Sequence, residues 1–266
     1  MKHALRFGMP SLVELEGPRQ TVDLCRRLGL HFVEFNMSFP LYGRQALGNM
    51  RRLMREATDS GLFLTLHFDE NAALFDFDRQ IADAYWQLLK DAMALSPALG
   101  VRLINIHFER GVWVTLPEKK IYLFDSYRQA FHQRVLDLRT RAEQMAGDDG
   151  PLISIENTGG WLPFQREAID LLLESPAFCL TWDVGHSTLA KEDDEGFQRA
   201  HVHKLRHMHL HDVKNGIDHQ PLGTGQVDIA DRLAGATQQN CTVVVEIKTV
   251  EALEQSVDWL KERGYL

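Results

Sequence analysis

The chain has little cysteine and little positive charge, and it has no long apolar run. Cys25, Cys179 and Cys241 are the only cysteines in 266 residues, and no two form a CxxC pair. An odd, scattered set of this kind excludes a disulfide framework and a thiolate metal site; it reads as reduced core thiols of a cytoplasmic protein. No stretch approaches the roughly 18 uninterrupted apolar residues of a membrane span. The opening MKHALRFGMPS also lacks the apolar run of an export signal, so a cytoplasmic location with no membrane partner is expected. Lys and Arg total 29 against 37 Asp and Glu, a formal charge of −8. That balance gives no footprint for a polyanion, so nucleic acid is not the expected partner and a small molecule is. No β-rich run is followed by a GxGxxG turn, which removes the usual dinucleotide signature.

What the chain does have is alternation. Short β-rich runs are expected at Leu5–Met9, Phe32–Asn36, Leu62–Phe68, Val101–Phe108, Leu152–Asn157, Cys179–Asp183, Leu205–His211 and Thr242–Lys248. Helical patterns separate them, at Thr21–Leu28, Ala46–Asp59, Gln80–Ser96, Ser126–Met145, Arg166–Glu174, Glu195–His203, Val227–Thr237 and Val250–Glu262. Strand–helix alternation requires parallel strands with helical crossovers. Eight repeats ending on a helix predict an α/β fold, a single (β/α)8 TIM barrel over residues 1–266. With about 250 residues typical of that fold, the length agrees, and its site belongs at the C-terminal mouth of the strands.

Parity along the strands sharpens the prediction. Leu64 and Leu66, Ile104 and Ile106, Ile153 and Ile155, Leu180 and Trp182, Met208 and Leu210, and Val243 and Val245 form wholly apolar alternate sets. These should face the helices. The opposite set then faces the barrel axis and ends on His67, His107, Glu156, Asp183, His209 and Glu246, with Glu34 ending the second strand on the same logic. One layer deeper stand Thr65, Asn105, Ser154, Thr181 and His207, where barrel interiors normally hold branched apolar residues. A lone strand-end Asp caps the next turn as readily as it binds an ion, and a lone His is more often structural. Convergence of six strands changes that balance. Clustered carboxylates repel one another and would be driven to protonate, and a divalent cation keeps them ionised. Carboxylates with imidazole and no thiolate suit Mn, Mg, Co, Zn or Fe(II) rather than copper or an iron–sulfur cluster. His201 and His203 belong to a helix end and read as surface or packing residues.

Two other regions bear on the mouth. DHQPLGTGQVD puts His219 before a Gly-Thr-Gly turn. Either the turn starts the next helix, with glycines supplying positive φ, or its backbone amides cover a substrate anion. The long loops Glu109–Tyr122 and Asp69–Asp78 carry Trp113, Phe75 and Phe77, candidates for a lid or an apolar wall.

LTLHF, INIHF, ISIENTGG, TWDVGHS, HLHD, HQPLGTG and VVVEIK together resemble the xylose-isomerase-like barrels, and the resemblance covers nearly the whole chain. That family includes sugar and sugar-phosphate isomerases and epimerases and apurinic-site endonucleases of the endonuclease IV type. The resemblance implies that Glu156, Asp183, His209 and Glu246 bind one divalent metal, and that His67, His107, His186 and His219 contact substrate or an additional metal. In the three-metal endonucleases an aspartate stands two positions before the counterpart of His219. Here that position is Ile217, with Asp218 one place out of register and expected to point elsewhere. The leading expectation is a metal-dependent isomerase or epimerase of a small sugar, sugar phosphate or hydroxy-keto acid. It would act through a cis-enediolate, with Glu156 and Glu246 as acid and base. The alternatives are a zinc-dependent apurinic-site endonuclease, a sugar or keto-acid dehydratase on the same scaffold, and a non-catalytic metal or sugar binder. Glu34, Trp113, Lys214 and Lys248 are weaker substrate-binding candidates from position alone. A homo-oligomer is compatible with all of these readings.

Overall fold

The computed structural model describes residues 5–59, 61–147, 150–191 and 193–266. Eight parallel strands close into a barrel. They are β1 (Arg6–Pro10), β2 (Phe32–Asn36), β3 (Phe63–His67), β4 (Val101–His107), β7 (Leu152–Glu156), β8 (Phe178–Asp183), β9 (Leu205–Leu210) and β12 (Thr242–Val245). Their order around the ring is β1-β12-β9-β8-β7-β4-β3-β2. Among the described residues, four further strands form two antiparallel hairpins at the mouth: β5 (Trp113–Thr115) with β6 (Lys120–Tyr122), and β10 (Asp212–Lys214) with β11 (Ile217–Gln220).

The expected crossover helices are present with shifted ends. Pro18 and Pro163 each start their helix three residues before the apolar pattern does, because a proline in the first turn loses no hydrogen bond. The stretch expected as one helix over Ala46–Asp59 is two, Arg44–Asn49 and Arg51–Asp59. The Glu195–His203 pattern stops at Ala200 and continues as a 3₁₀ turn, Val202–Lys204. A short helix that was not expected, Val184–Leu189, starts directly on Asp183. Glu246 lies one residue past the end of β12.

The register carries the parity argument into three dimensions. Asn105 pairs with Ser154, His107 with Glu156, Thr181 with His207 and Asp183 with His209. The polar set therefore forms two stacked layers inside the barrel, and the apolar set is buried under the helices. Below the polar layers, Phe32 stacks on Phe63 with centroids 4.8 Å apart. Gly8 on β1 makes room for that pair, since a Cβ there would meet the Phe32 ring at 2.6 Å. An aromatic floor closes the barrel under the site. Among the described residues no helix is long and apolar enough to cross a membrane.

Candidate functional site

The strand ends bring Glu156, Asp183, His209 and Glu246 together, with one donor atom from each within 4.8 Å of the others. His209 Nδ1 is the hub. It lies 3.1 Å from Glu246 Oε2, 3.3 Å from Glu156 Oε1 and 3.9 Å from Asp183 Oδ2. All four side chains are buried. Burial is the largest single influence on Glu156 and Glu246 and raises both, but it is outweighed by the sum of the His209 charge, the His107 charge for the first or the Lys248 charge for the second, and their hydrogen bonds. Both carboxyls are held well below the usual range. Burial alone would lower the His209 pKa; Glu156, Glu246 and Glu34 drive it well above the ordinary imidazole value.

Three atoms of this group are buried without a hydrogen bond of good geometry: His209 Nε2, which faces Glu34, and the facing pair His209 Nδ1 and Glu246 Oε2. Unpaired buried polar atoms are costly and rare. Here that pair also faces two further carboxylates, an arrangement that a cation would complete. Three carboxylates, one imidazole nitrogen and no sulfur fit Mn, Mg, Co or Zn.

Each flank of the quartet carries histidines. On the β3–β4 side, His67 Nε2 and His107 Nε2 lie 3.3 and 3.5 Å from Glu156 Oε2, which also accepts from the Asn105 amide. The His67 Nδ1–H donates to the Phe68 carbonyl at 2.9 Å, leaving Nε2 directed at the glutamate. On the other flank, Asp183 does two jobs. Oδ1 accepts the His186 amide and caps the helix Val184–Leu189, while Oδ2 lies 3.2 Å from His186 Nδ1. Asn157 fixes this aspartate's backbone, donating to its carbonyl and accepting its amide at 2.9 and 2.8 Å. His219 Nε2 lies 3.6 Å from Glu246 Oε1.

His211 ends the expected seventh strand, but no role was expected for it. It is fully buried, with Nε2 3.0 Å from Asp183 Oδ1 and its ring stacked on His219 at 4.2 Å. Gly185 admits it, because a Cβ there would meet the His211 ring at 2.0 Å. The glycine of TWDVGHS was the available signal. Together His186, His211 and His219 form a further group of metal-type donors. Asp218 also corrects an expectation. Left-handed backbone at His219 (φ 52°) turns the chain, and Asp218 Oδ2 comes within 3.7 Å of His186 Nε2.

The weaker candidates divide. Lys248 is in place, its Nζ 2.7 Å from Glu246 Oε1. It lines a cavity of about 250 Å³ together with Ser11, Asn36, His67, Glu70 and Glu246. Glu34 is not on the rim: it is buried on the floor of that cavity, beneath His209. Trp113 misses the site, because hairpin pairing sets it opposite Tyr122 with its ring beside Lys120, half exposed. Lys214 is exposed where β10 turns into β11, paired across to Ile217. The two long loops border a second cavity of about 350 Å³, lined by Glu70, Phe77, Glu109 and Phe124 among others.

The Gly-Thr-Gly turn has a structural partner. The Asp212 carboxylate accepts from the amides of Val213, Gly225 and Val227 at 2.7–3.0 Å. Two of the turn-side amides are thus occupied by the protein's own carboxylate, which anchors the turn near the mouth.

Comparison with known proteins agrees with this architecture. The family model described as a xylose isomerase-like TIM barrel matches residues 22–263. No curated protein sequence matches the chain. Among solved structures, a D-tagatose 3-epimerase-like protein superposes with a TM-score of 0.76 at 19% identity, over 97% of this chain and 96% of that one. The IolI protein with a binding zinc atom gives 0.72 at 15%, over 97% and 96%. A probable 3-DHS dehydratase, AsbF, from Bacillus anthracis gives 0.73 at 12%, over 98% and 100%. At such identities these structures establish a shared fold.

Proposed function

The chain belongs to the xylose isomerase-like TIM-barrel family, and on that premise we propose that it is a divalent-metal-dependent isomerase or epimerase of a small sugar, sugar phosphate or hydroxy-keto acid. The observation that carries the reading is the buried quartet in which His209 Nδ1 and Glu246 Oε2 lack partners and converge with Glu156 and Asp183. Those four residues would hold the cation, whose charge when bound lowers the cost of negative charge on an adjacent carbonyl and hydroxyl.

The protein's own groups account for the proton movements. Glu156 and Glu246 enter from strands separated on the ring by β8 and β9, so they approach a bound substrate from different sides. One carboxylate takes the proton beside the carbonyl, and the other, having taken up a proton from solvent or from the bound substrate's hydroxyl, delivers that proton to the opposite face of the enediolate; the first then releases its proton to solvent, and the roles exchange in the reverse direction. Glu246 suits this work, since Oε2 faces His209 while Oε1 faces Lys248 and the 250 Å³ cavity. In this reading His186 and His219 would hydrogen-bond substrate hydroxyls. Lys248 is the cation available to a substrate carboxylate or to the carboxylate of Glu246. The epimerase and zinc-bound structures sharing this fold support the same class of chemistry.

The test is incorporation of deuterium from D₂O into free and phosphorylated ketoses, with and without chelator. Chelator-sensitive exchange at the carbon next to the carbonyl supports the proposal, and Glu246→Gln should slow it by roughly 10²–10⁴-fold. Near-normal exchange in that variant would remove Glu246 from the mechanism. Product mass separates an isomerase, which conserves it, from a dehydratase, which loses water.

One observation favours a second reading. Further donor groups flank the quartet on both sides: His67, His107 and Glu156 on one, His186, His211 and His219 on the other, with Asp218 within reach. A site holding additional zinc ions would suit phosphodiester hydrolysis at apurinic sites. The net charge of −8 opposes it. Chelator-sensitive nicking of an abasic duplex would establish it.

A further inference from the structure

A buried carboxylate in a barrel interior is costly unless donors surround it. Glu34 has three, drawn from two other strands. Thr65 Oγ1 on β3 donates to Oε2 at 2.9 Å, and His207 Nε2 on β9 lies 3.0 Å from the same oxygen. His209 Nε2, also on β9, lies 2.9 Å from the other oxygen, Oε1. His207 is held from its far side as well, with Nδ1 2.6 Å from Thr242 Oγ1. It is therefore occupied at both ring nitrogens. His209 differs: its Nε2 is in ion-pair contact with Glu34 at 2.9 Å and its Nδ1 points into the quartet, 3.1 Å from Glu246 Oε2, and neither nitrogen makes a hydrogen bond of good geometry.

We propose that Glu34 is a positioning residue for the metal ligand His209, fixing its ring so that Nδ1, and not Nε2, is the ligating nitrogen. The inference rests on the metal-site reading above. A 180° turn of the ring would put carbon atoms where both nitrogens now stand, breaking the contact with Glu34 and withdrawing the ligand atom together. When a cation replaces the hydrogen that Nδ1 shares with Glu156 and Glu246, the Glu34 carboxylate keeps the remaining hydrogen on Nε2. A partner of this kind makes an imidazole a better donor, and removing it typically weakens metal binding by roughly 10–100-fold. The aromatic floor of Phe32 and Phe63 gives the charge no alternative partner below. Glu34 thus links the sealed interior to the open site without touching a substrate.

The experiment is zinc titration of metal-free protein by calorimetry for wild type, Glu34→Gln, Glu34→Ala and Thr65→Ala, with thermal melts as a check on folding. Long-range ¹⁵N NMR of the zinc-loaded proteins reads the His209 tautomer. The expected order is a 10–100-fold weaker zinc affinity in Glu34→Ala and a smaller loss in Glu34→Gln, whose amide oxygen still accepts from Nε2–H. Thr65→Ala should bind like wild type, because it loosens the same carboxylate without freeing His209. If Glu34→Ala does not fold, the Gln variant and its histidine spectrum decide alone. Unchanged affinity and tautomer in the Glu34 variants would overturn the proposal, as would an equal loss in Thr65→Ala, which would indicate generic packing. Wild-type protein that binds no divalent ion would overturn the metal-site reading itself, and this inference with it.

Discussion

Glu109 offers a test of how the mouth of the barrel is held together. It begins the loop after β4, and its Oε1 accepts the Phe75 amide at 2.7 Å, tying that loop to the Asp69–Asp78 segment beside the 350 Å³ cavity. Burial raises its carboxyl from 4.5 to about 7; the Phe75 amide opposes the rise and Asp76 adds to it. The unfolded chain releases this proton near its ordinary pKa, whereas the folded protein keeps it to about pH 7. Stability should therefore fall as pH rises across that window and level off above it. At about 1.4 kcal/mol per unit of pKa, the cost at pH 8 has an upper bound of roughly 3.5 kcal/mol. Glu109→Gln keeps an acceptor for Phe75 and removes the ionisation. Thermal melts should show a small gain for the variant at pH 5 and a larger one at pH 8. At roughly 2–4 °C per kcal/mol for a chain of this size, the larger gain amounts to several degrees. An identical difference at both pH values, or a loss at pH 8, would refute the reasoning.

Other perturbations follow from the same geometry. Asp212→Ala strands three amides around the Gly-Thr-Gly turn. At roughly 1.5–3 kcal/mol for a single charge-assisted bond, the loss should exceed one such bond and show as faster amide exchange at Gly225 and Val227. Gly8→Ala drives a methyl into the Phe32 ring and should cost roughly 1–3 kcal/mol in denaturant melts; no change would mean the floor is looser than described. Gly185→Ala should displace His211 from Asp183, read as a shifted His211 resonance with the barrel intact; an unmoved resonance would contradict the contact. Trp113→Ser should leave deuterium exchange into substrate unaltered, because the ring belongs to the outer hairpin, and a marked fall would return that hairpin to the site.

Much of this could be read in the sequence because strand parity is a strong periodic signal. Alternation with period two placed His67, His107, Glu156, Asp183, His209 and Glu246 on one face at one end, and register did the rest. Depth and turn geometry were not readable. Glu34 looked like a rim residue by phase, yet it pairs downward with histidines 173 and 175 positions away, a contact that depends on closing the ring between β2 and β9. Asp218 looked out of register because extended backbone was assumed, whereas positive φ at His219 redirects it. His211 ended its expected strand but lies one residue past the observed one, and its place depends on space left by a glycine on another segment. Trp113 failed for the opposite reason: the loop has its own hairpin pairing, which fixes the ring away from the axis.

The most direct measurement is elemental mass spectrometry of protein purified without added metal or chelator. The account predicts about one Mn, Mg, Co or Zn per chain, lost in His209→Ala and accompanied in wild type by chelator-sensitive deuterium exchange into a ketose. Two or three zinc ions per chain, together with cleavage of abasic DNA and no exchange, would contradict it and identify the flanking histidines as ligands of a hydrolase.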